Sequence, residues 1–167
     1  MKKEARHSEL RVRPGKLRDI RTILSMIRAL AEYEQLASHV RATPSRIHRD
    51  GFGRRPYFET LICQEGRKPV GFALYFFTYS TFLARPTFYV EDIFVLPELR
   101  GKGAGKALLG ALARIAVRRG CGRMEWTVLD WNTRAIKFYK RLGASLRKEW
   151  ILTRLTGSAL RRLARSH

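Results

Sequence analysis

The sequence predicts an α/β (α+β) fold in which a mixed sheet is flanked by helices. Apolar stretches of strand length alternate with segments whose apolar residues repeat at helical spacing. The order that results is β-α-α-β-β-β-α-β-α-β, with turn signals between elements and no internal repeat. A chain of 167 residues with 45% hydrophobic content is enough for one domain, residues 1–167, with a proper core.

Taken in order, residues 1–8 read as a fraying basic tail. Leu10-Arg11-Val12-Arg13 alternates as a first strand, closed by Pro14 and Gly15. From Lys16 to Leu36, the residues Ile20, Ile23, Leu24, Ile27, Leu30 and Ala31 recur at helical spacing. Thr43 reads as an N-cap with Pro44 at the first helical position, and Gly51-Phe52-Gly53 ends that second helix. Tyr57 to Gln64 reads as a strand, Glu65 to Lys68 as a hairpin turn, and Pro69 to Tyr79 as a long aromatic strand whose rings belong to the core. Arg85-Pro86 leads into a central strand. The helix after the glycine loop runs to about Arg119, with Gly120 as its stop. Gly122 to Leu129 reads as a strand, Thr133 to Leu142 as a short helix ended by Gly143, and Ala144 to Leu155 as a closing strand pair or one bent strand. Gly157 to His167 sets Leu160, Leu163 and Ala164 against Arg161, Arg162 and Arg165; it reads as a solvated basic end helix.

The chain is organised around Tyr89 to Gly110. Val90, Ile93, Phe94 and Val95 form an apolar strand with Glu91 and Asp92 set among them. A turn at Pro97 follows, then Arg100, Gly101, Lys102, Gly103, Ala104, Gly105 and Lys106, then a helix with an apolar face. Glycine lets the backbone turn tightly and lets a ligand approach it. The first amides of a helix have no internal partner and attract phosphate. Arg100, Lys102 and Lys106 add positive charge at the same place. A phosphate-bearing ligand is expected over a bare turn, because three glycines at alternate positions exceed what a turn needs. The spacing is not a Walker A loop, since Ala107 follows Lys106, nor a dinucleotide fingerprint, which opens a βαβ unit early.

The formal net charge is +20, which implies attraction to polyanions. No zinc-finger, RNP or basic-zipper pattern accompanies it, so nucleic acid is expected to bind only through non-specific charge. No apolar run reaches the length of a membrane span, and the N-terminus lacks the apolar region of a secretory signal. Cys63 and Cys121 show no metal spacing and read as reduced thiols of a cytoplasmic protein. His7, His39, His48 and His167 are scattered, so no metal is expected.

Arg100 to Gly105 resembles the acetyl-CoA loop of the GNAT N-acetyltransferases, usually written Q/R-x-x-G-x-G/A. LAEYE at 30–34, DGFG at 50–53, VGFALYFFTY at 70–79, VEDIFV at 90–95, WN at 131–132 and FYKRLGAS at 138–145 extend the likeness. In that order they resemble the spermidine/spermine, or diamine, N-acetyltransferases of the superfamily. The resemblance covers most of the chain. It implies a GNAT-type fold with a mostly antiparallel sheet, acetyl-CoA as cofactor, and a homodimer. The implied reaction moves an acetyl group to a primary amine of a diamine, polyamine or lysine-like small molecule. A GNAT acting on a protein or peptide amine is one alternative, and a basic nucleic-acid-associated module is another.

The same resemblance implies residue roles. Backbone amides of Gly101 to Lys106 would wrap the pyrophosphate, with Arg100 and Lys140 also on the cofactor side. Ile93, Phe94 and Val95 would meet the pantetheine and acetyl group, one strand N–H serving as oxyanion donor. Asn132 would bond the cofactor arm, with a plain N-cap role open beside it. The amine, with a reference pKa of about 10, must lose a proton. Glu91 is the candidate base, through a bridging water; simple binding of the cation by Glu91 is equally open. Asp92 joins the substrate residues and, if the strand alternates, points to the other face. Tyr139 lies in N-x-x-A-x-x-F-Y-K-R-x-G-A, from Asn132 to Ala144, which matches the segment carrying the general-acid tyrosine. Periodicity alone reads it as a core aromatic. Tyr33 and Glu34 match the pair lining the amine pocket, where a carboxylate and a ring face both bind ammonium. Glu125 and Trp126 match the pocket strand. Glu149 and Trp150 match residues that reach the neighbouring subunit's site. Leu146-Arg147-Lys148 is more basic than the family's acidic version, which favours a substrate less cationic than a long polyamine.

Overall fold

The computed structural model describes residues 9–166. The basic tail expected over residues 1–8 and His167 lie outside them. The chain divides into two compact units, one ending at Thr127 and one beginning at Val128.

The first unit is built on a five-stranded sheet in the order β1 (Leu10–Pro14), β2 (Glu59–Glu65), β3 (Lys68–Ser80), β4 (Arg85–Val95) and β5 (Arg123–Glu125). The first four strands run antiparallel to their neighbours. β5 pairs parallel to β4, a connection that needs a crossover element, here α3 (Ala104–Arg118). β1 leads through a short 3-10 turn into α1 (Ile20–Tyr33), and α2 (Pro44–Phe52) follows. Helix α1 starts later than Lys16 because residues 17–19 form that tighter turn. Arg13 holds the buried Asp19 carboxylate through two bonds of 2.6 and 2.9 Å, which fixes the turn against β1. Thr43 accepts a bond from Arg46 N at 3.2 Å, so the expected N-cap of α2 is in place.

Strand alternation puts Ile62, Phe72, Leu74 and Phe94 on one face, where they pack with Ile23, Leu24 and Met26 of α1 and Ile47 of α2. α3 buries Leu108 and Leu112 against the sheet and contributes nothing to that cluster, so it covers the other face. The sheet is thus the middle of three layers.

Two features of β4 shape the unit. Leu74 pairs with Asp92 and Tyr75 with Val90, so Glu91 has no opposite number: it is a β-bulge. Phe88 and Val90 therefore face the side that carries Tyr75 and Phe77, whereas Asp92 and Phe94 face the α1 side with Leu74 and Phe72. In an unbroken strand all four would share a face. The second feature is the β5 pairing, which covers only Thr87, Phe88 and Tyr89. Among the described residues no strand pairs with the outer edge of β4 past Tyr89.

The expected strand over Gly122 to Leu129 is thus a correction: only Arg123–Glu125 is strand, because the ladder stops where β4 and β5 diverge. In the second unit α4 (Thr133–Arg141) and α5 (Gly157–Leu163) form as expected. The closing strand over Ala144 to Leu155 does not form. Arg147 pairs with Glu149 and its carbonyl accepts from Trp150 N at 3.4 Å, so this part of the chain turns on itself. A strand also needs a ladder partner, and none is present among the described residues.

Candidate active site

The glycine loop has the geometry its sequence implies. Gly101 and Gly103 take φ of +84° and +93°, the left-handed region that side chains avoid. Gly103 is the N-cap of α3, and no side chain caps that end. The amides of Gly101 to Lys106 have no backbone acceptor among the described residues. Gly105 and the buried Ala104 lie in the first turn of α3, where the aligned peptide dipoles favour an anion. Lys102 and Lys106 are exposed on either side. Replacing Gly103 by alanine should cost about 1–2 kcal/mol of stability. The new Cβ would meet only Leu10 at an ordinary 3.8 Å, so backbone strain is the whole cause. A thermal melt checks the loss.

Carboxylates gather where α1 ends and β4 bulges. Glu34 caps the C-terminus of α1 and is half-buried; burial raises its pKa. Asp92 is pushed up to about 7, first by burial, then by the charges of Glu91 and Glu34. Asp92 shares its sheet face with Tyr89 and, through the β4–β5 register, with Glu125. Glu125 is held by Arg123 at 2.8 Å, which offsets its charge. Trp126 sits just past β5, half-buried. Ile93 and Val95 are half-buried and Phe94 is buried, on the stretch of β4 whose outer edge β5 leaves open.

Arg100 does not point away into solvent. Its guanidinium lies 4.1 Å from the centre of the Tyr33 ring and 5.5 Å from that of Phe94, and its Nε donates to the Val95 carbonyl at 3.0 Å. Neither this stack nor the gathering of Glu34 with Asp92 was foreseen, and no local spacing signals them. Both join residues far apart in the chain.

The second unit holds the remaining candidates. Asn132 caps α4, its Oδ1 accepting from Ala135 N at 3.2 Å. Tyr139 on α4 is buried, 8% exposed, with the Phe138 ring 5.5 Å away. Lys140 is exposed. Glu149 is engaged by Arg147 and Trp150 is exposed. Among the described residues no cluster of metal-ligating side chains occurs, and no helix is long and apolar enough to cross a membrane.

The three-layer fold thus presents an open β4 edge, a loop of bare amides and a group of carboxylates. The family model described as the acetyltransferase (GNAT) family matches residues 23–144. A thialysine N-epsilon-acetyltransferase of Sus scrofa is 40% identical over 164 residues, covering 92% of this chain and 96% of the relative. An L-ornithine N5-acetyltransferase of Arabidopsis thaliana is 56% identical over 90 residues, 54% of this chain and 40% of that protein. An integron cassette protein from the mobile metagenome of V. cholerae superposes with a TM-score of 0.78 at 28% identity, covering 94% of this chain and 98% of that one. The chain belongs to the GNAT acetyltransferase family. It is an N-acetyltransferase.

Acetyl-CoA is the acetyl donor that GNAT acetyltransferases use. The site fits such a group: consecutive bare amides and two lysines suit a diphosphate, and an unpaired strand edge suits an amide-bearing arm.

Proposed function

We propose that this enzyme acetylates the side-chain amine of a lysine-like amino acid or a short diamine, with acetyl-CoA as donor. The observation that carries the reading is the half-buried Asp92, placed just past the bulge of β4 within the fields of Glu91 and Glu34. Such a group binds an ammonium and can take its proton. The thialysine and ornithine acetyltransferases act on amines of this size by name. The net charge of +20 weighs against a polyamine carrying several charges.

Acetyl-CoA, when bound, supplies an acetyl group activated as a thioester. Gly101 to Lys106 would hold its diphosphate through main-chain amides, with Lys102 and Lys106 adding charge. Ile93 to Val95 would hold its arm and offer an N–H to the developing oxyanion. Asn132 and Lys140 are assigned to the cofactor side. Glu34 and Asp92 orient the ammonium, with Glu125 and Trp126 around it. Glu91 or Asp92 accepts the proton through a water. Tyr139 Oη is assigned as the proton donor to the leaving sulfur.

The reading extends to a homodimer working in the cytoplasm, where free thiols such as Cys63 and Cys121 persist. Trp150, Ile151 and Leu152 are 71%, 85% and 69% exposed in one run, an apolar stretch that a second copy would cover while bringing Glu149 and Trp150 to its neighbour. Replacing Trp150 and Ile151 together by serine should shift the protein from dimer to monomer in light scattering after gel filtration.

A thiol-release assay over lysine, ornithine, putrescine, spermidine and a lysine peptide tests the substrate class. Higher kcat/KM for the amino acids and putrescine than for spermidine is expected. Release driven by the peptide alone would replace this reading with a protein-directed one.

A further inference from the structure

We infer that Arg100 is a positioning residue: its side chain ties the cofactor loop to the acidic end of α1 instead of binding the cofactor's phosphates directly. The inference rests on the reading of the loop as a cofactor cradle.

Three contacts define the guanidinium. It covers the ring of Tyr33, the last residue of α1, at 4.1 Å; it lies 5.5 Å from Phe94; and its Nε donates to Val95 O at 3.0 Å. These contacts come from a helix end and from the stretch of β4 that follows the bulge. Arg100 immediately precedes Gly101, the first left-handed glycine of the loop. The chain can leave β4 and enter the loop along one path while Arg100 keeps its stack. A planar cation on an aromatic face, with a hydrogen bond in its own plane, is a geometry arginine supplies and lysine does not.

The arrangement reassigns two residues at once. The Tyr33 face already carries a cation, so that face is not what receives a substrate ammonium. Tyr33 acts through Arg100. Positive charge for a diphosphate is left to Lys102 and Lys106, which are exposed. Glu34 directly follows Tyr33, so the stack fixes a carboxylate of the amine group to the loop that would take the cofactor. Ordering the loop then orders Glu34, and the two ligands bind with positive coupling.

A double-mutant cycle tests this. Acetyl-CoA affinity is measured by calorimetry for the native protein, Tyr33→Leu, Arg100→Ala and the pair, with circular dichroism checking the fold. Tyr33→Leu leaves the loop sequence intact, yet it should weaken acetyl-CoA binding about three- to tenfold. Tyr33→Phe, which keeps the ring, should stay within about twofold of the native protein by the same interaction. The double variant should bind no more weakly than Arg100→Ala alone. Native-like binding by Tyr33→Leu, or two losses that simply multiply, would overturn the proposal. Should Arg100→Ala not fold, Arg100→Lys takes its place: it keeps the charge but not the fork, and native-like affinity would mean direct phosphate binding. A native protein that binds no acetyl-CoA at all would instead sink the cofactor reading itself.

Discussion

Tyr139→Phe should lower kcat by about two to three orders of magnitude while leaving acetyl-CoA affinity within twofold, since general-acid groups contribute about 10²–10⁴. Only one oxygen is removed. The phenyl ring keeps the volume of a side chain that is 8% exposed, and it keeps the Phe138 contact at 5.5 Å. The fold of α4 should be unaffected, because Asn132 still caps it and the chain still turns through Leu142 N and Ala144 N onto the Tyr139 carbonyl at 3.0 and 3.1 Å. Turnover at saturating amine, with calorimetric titration of acetyl-CoA, separates the two effects. Equal turnover in variant and native protein would take Tyr139 out of the proton-donor role.

Asp92→Asn should make the protein more stable and much less active. The native carboxyl titrates at about 7 instead of 3.8, chiefly because it is buried. A raised acid pKa means the folded state holds the proton more tightly than the unfolded chain. The contribution to stability is therefore full below pH ~4 and is lost as pH rises through ~7. Asparagine mimics the neutral acid and carries no such loss. Native and variant should melt alike below pH ~4, whereas at pH 8 the variant should be more stable by about 2 kcal/mol, after discount for solvent near a half-buried group. At pH 8 the same variant should lose about a hundredfold in kcat/KM, because the ammonium loses its anchor and its proton acceptor. Native activity should rise with pH through 7. Melting curves and initial rates at the two pH values check both arms; a variant melting below the native protein at pH 8 would contradict the electrostatic account. This is the trade of stability for function expected where charge is held out of water.

Most of this architecture could be read from the residues in order. Helical spacing marked Ile23, Leu24 and Leu30 on α1, and Thr43-Pro44 marked the start of α2, because capping and periodicity are local properties. Gly101 and Gly103 announced their left-handed backbone for the same reason. What escaped depends on pairing between strands. The bulge at Glu91 exists only in the register against Leu74 and Tyr75, and it decides which way Asp92 faces. The segment from Ala144 to Leu155 has strand-like residues but no ladder to join. For the site, the left-handed turn of the glycine loop into α3 was legible. Arg100 on Tyr33 and Glu34 beside Asp92 were not, since each pair is brought together by the sheet and α1 packing as layers.

With 14 Asp and Glu against 34 Lys and Arg, most of the positive charge has no carboxylate in the chain to balance it. In the homodimer proposed above, two copies bring like fields together. Counterions relieve that repulsion, with a screening length of about 8 Å at physiological ionic strength. Self-association should therefore tighten as buffer salt increases, the reverse of what an attraction between opposite charges would do, and dilution into low-salt medium should pull the copies apart.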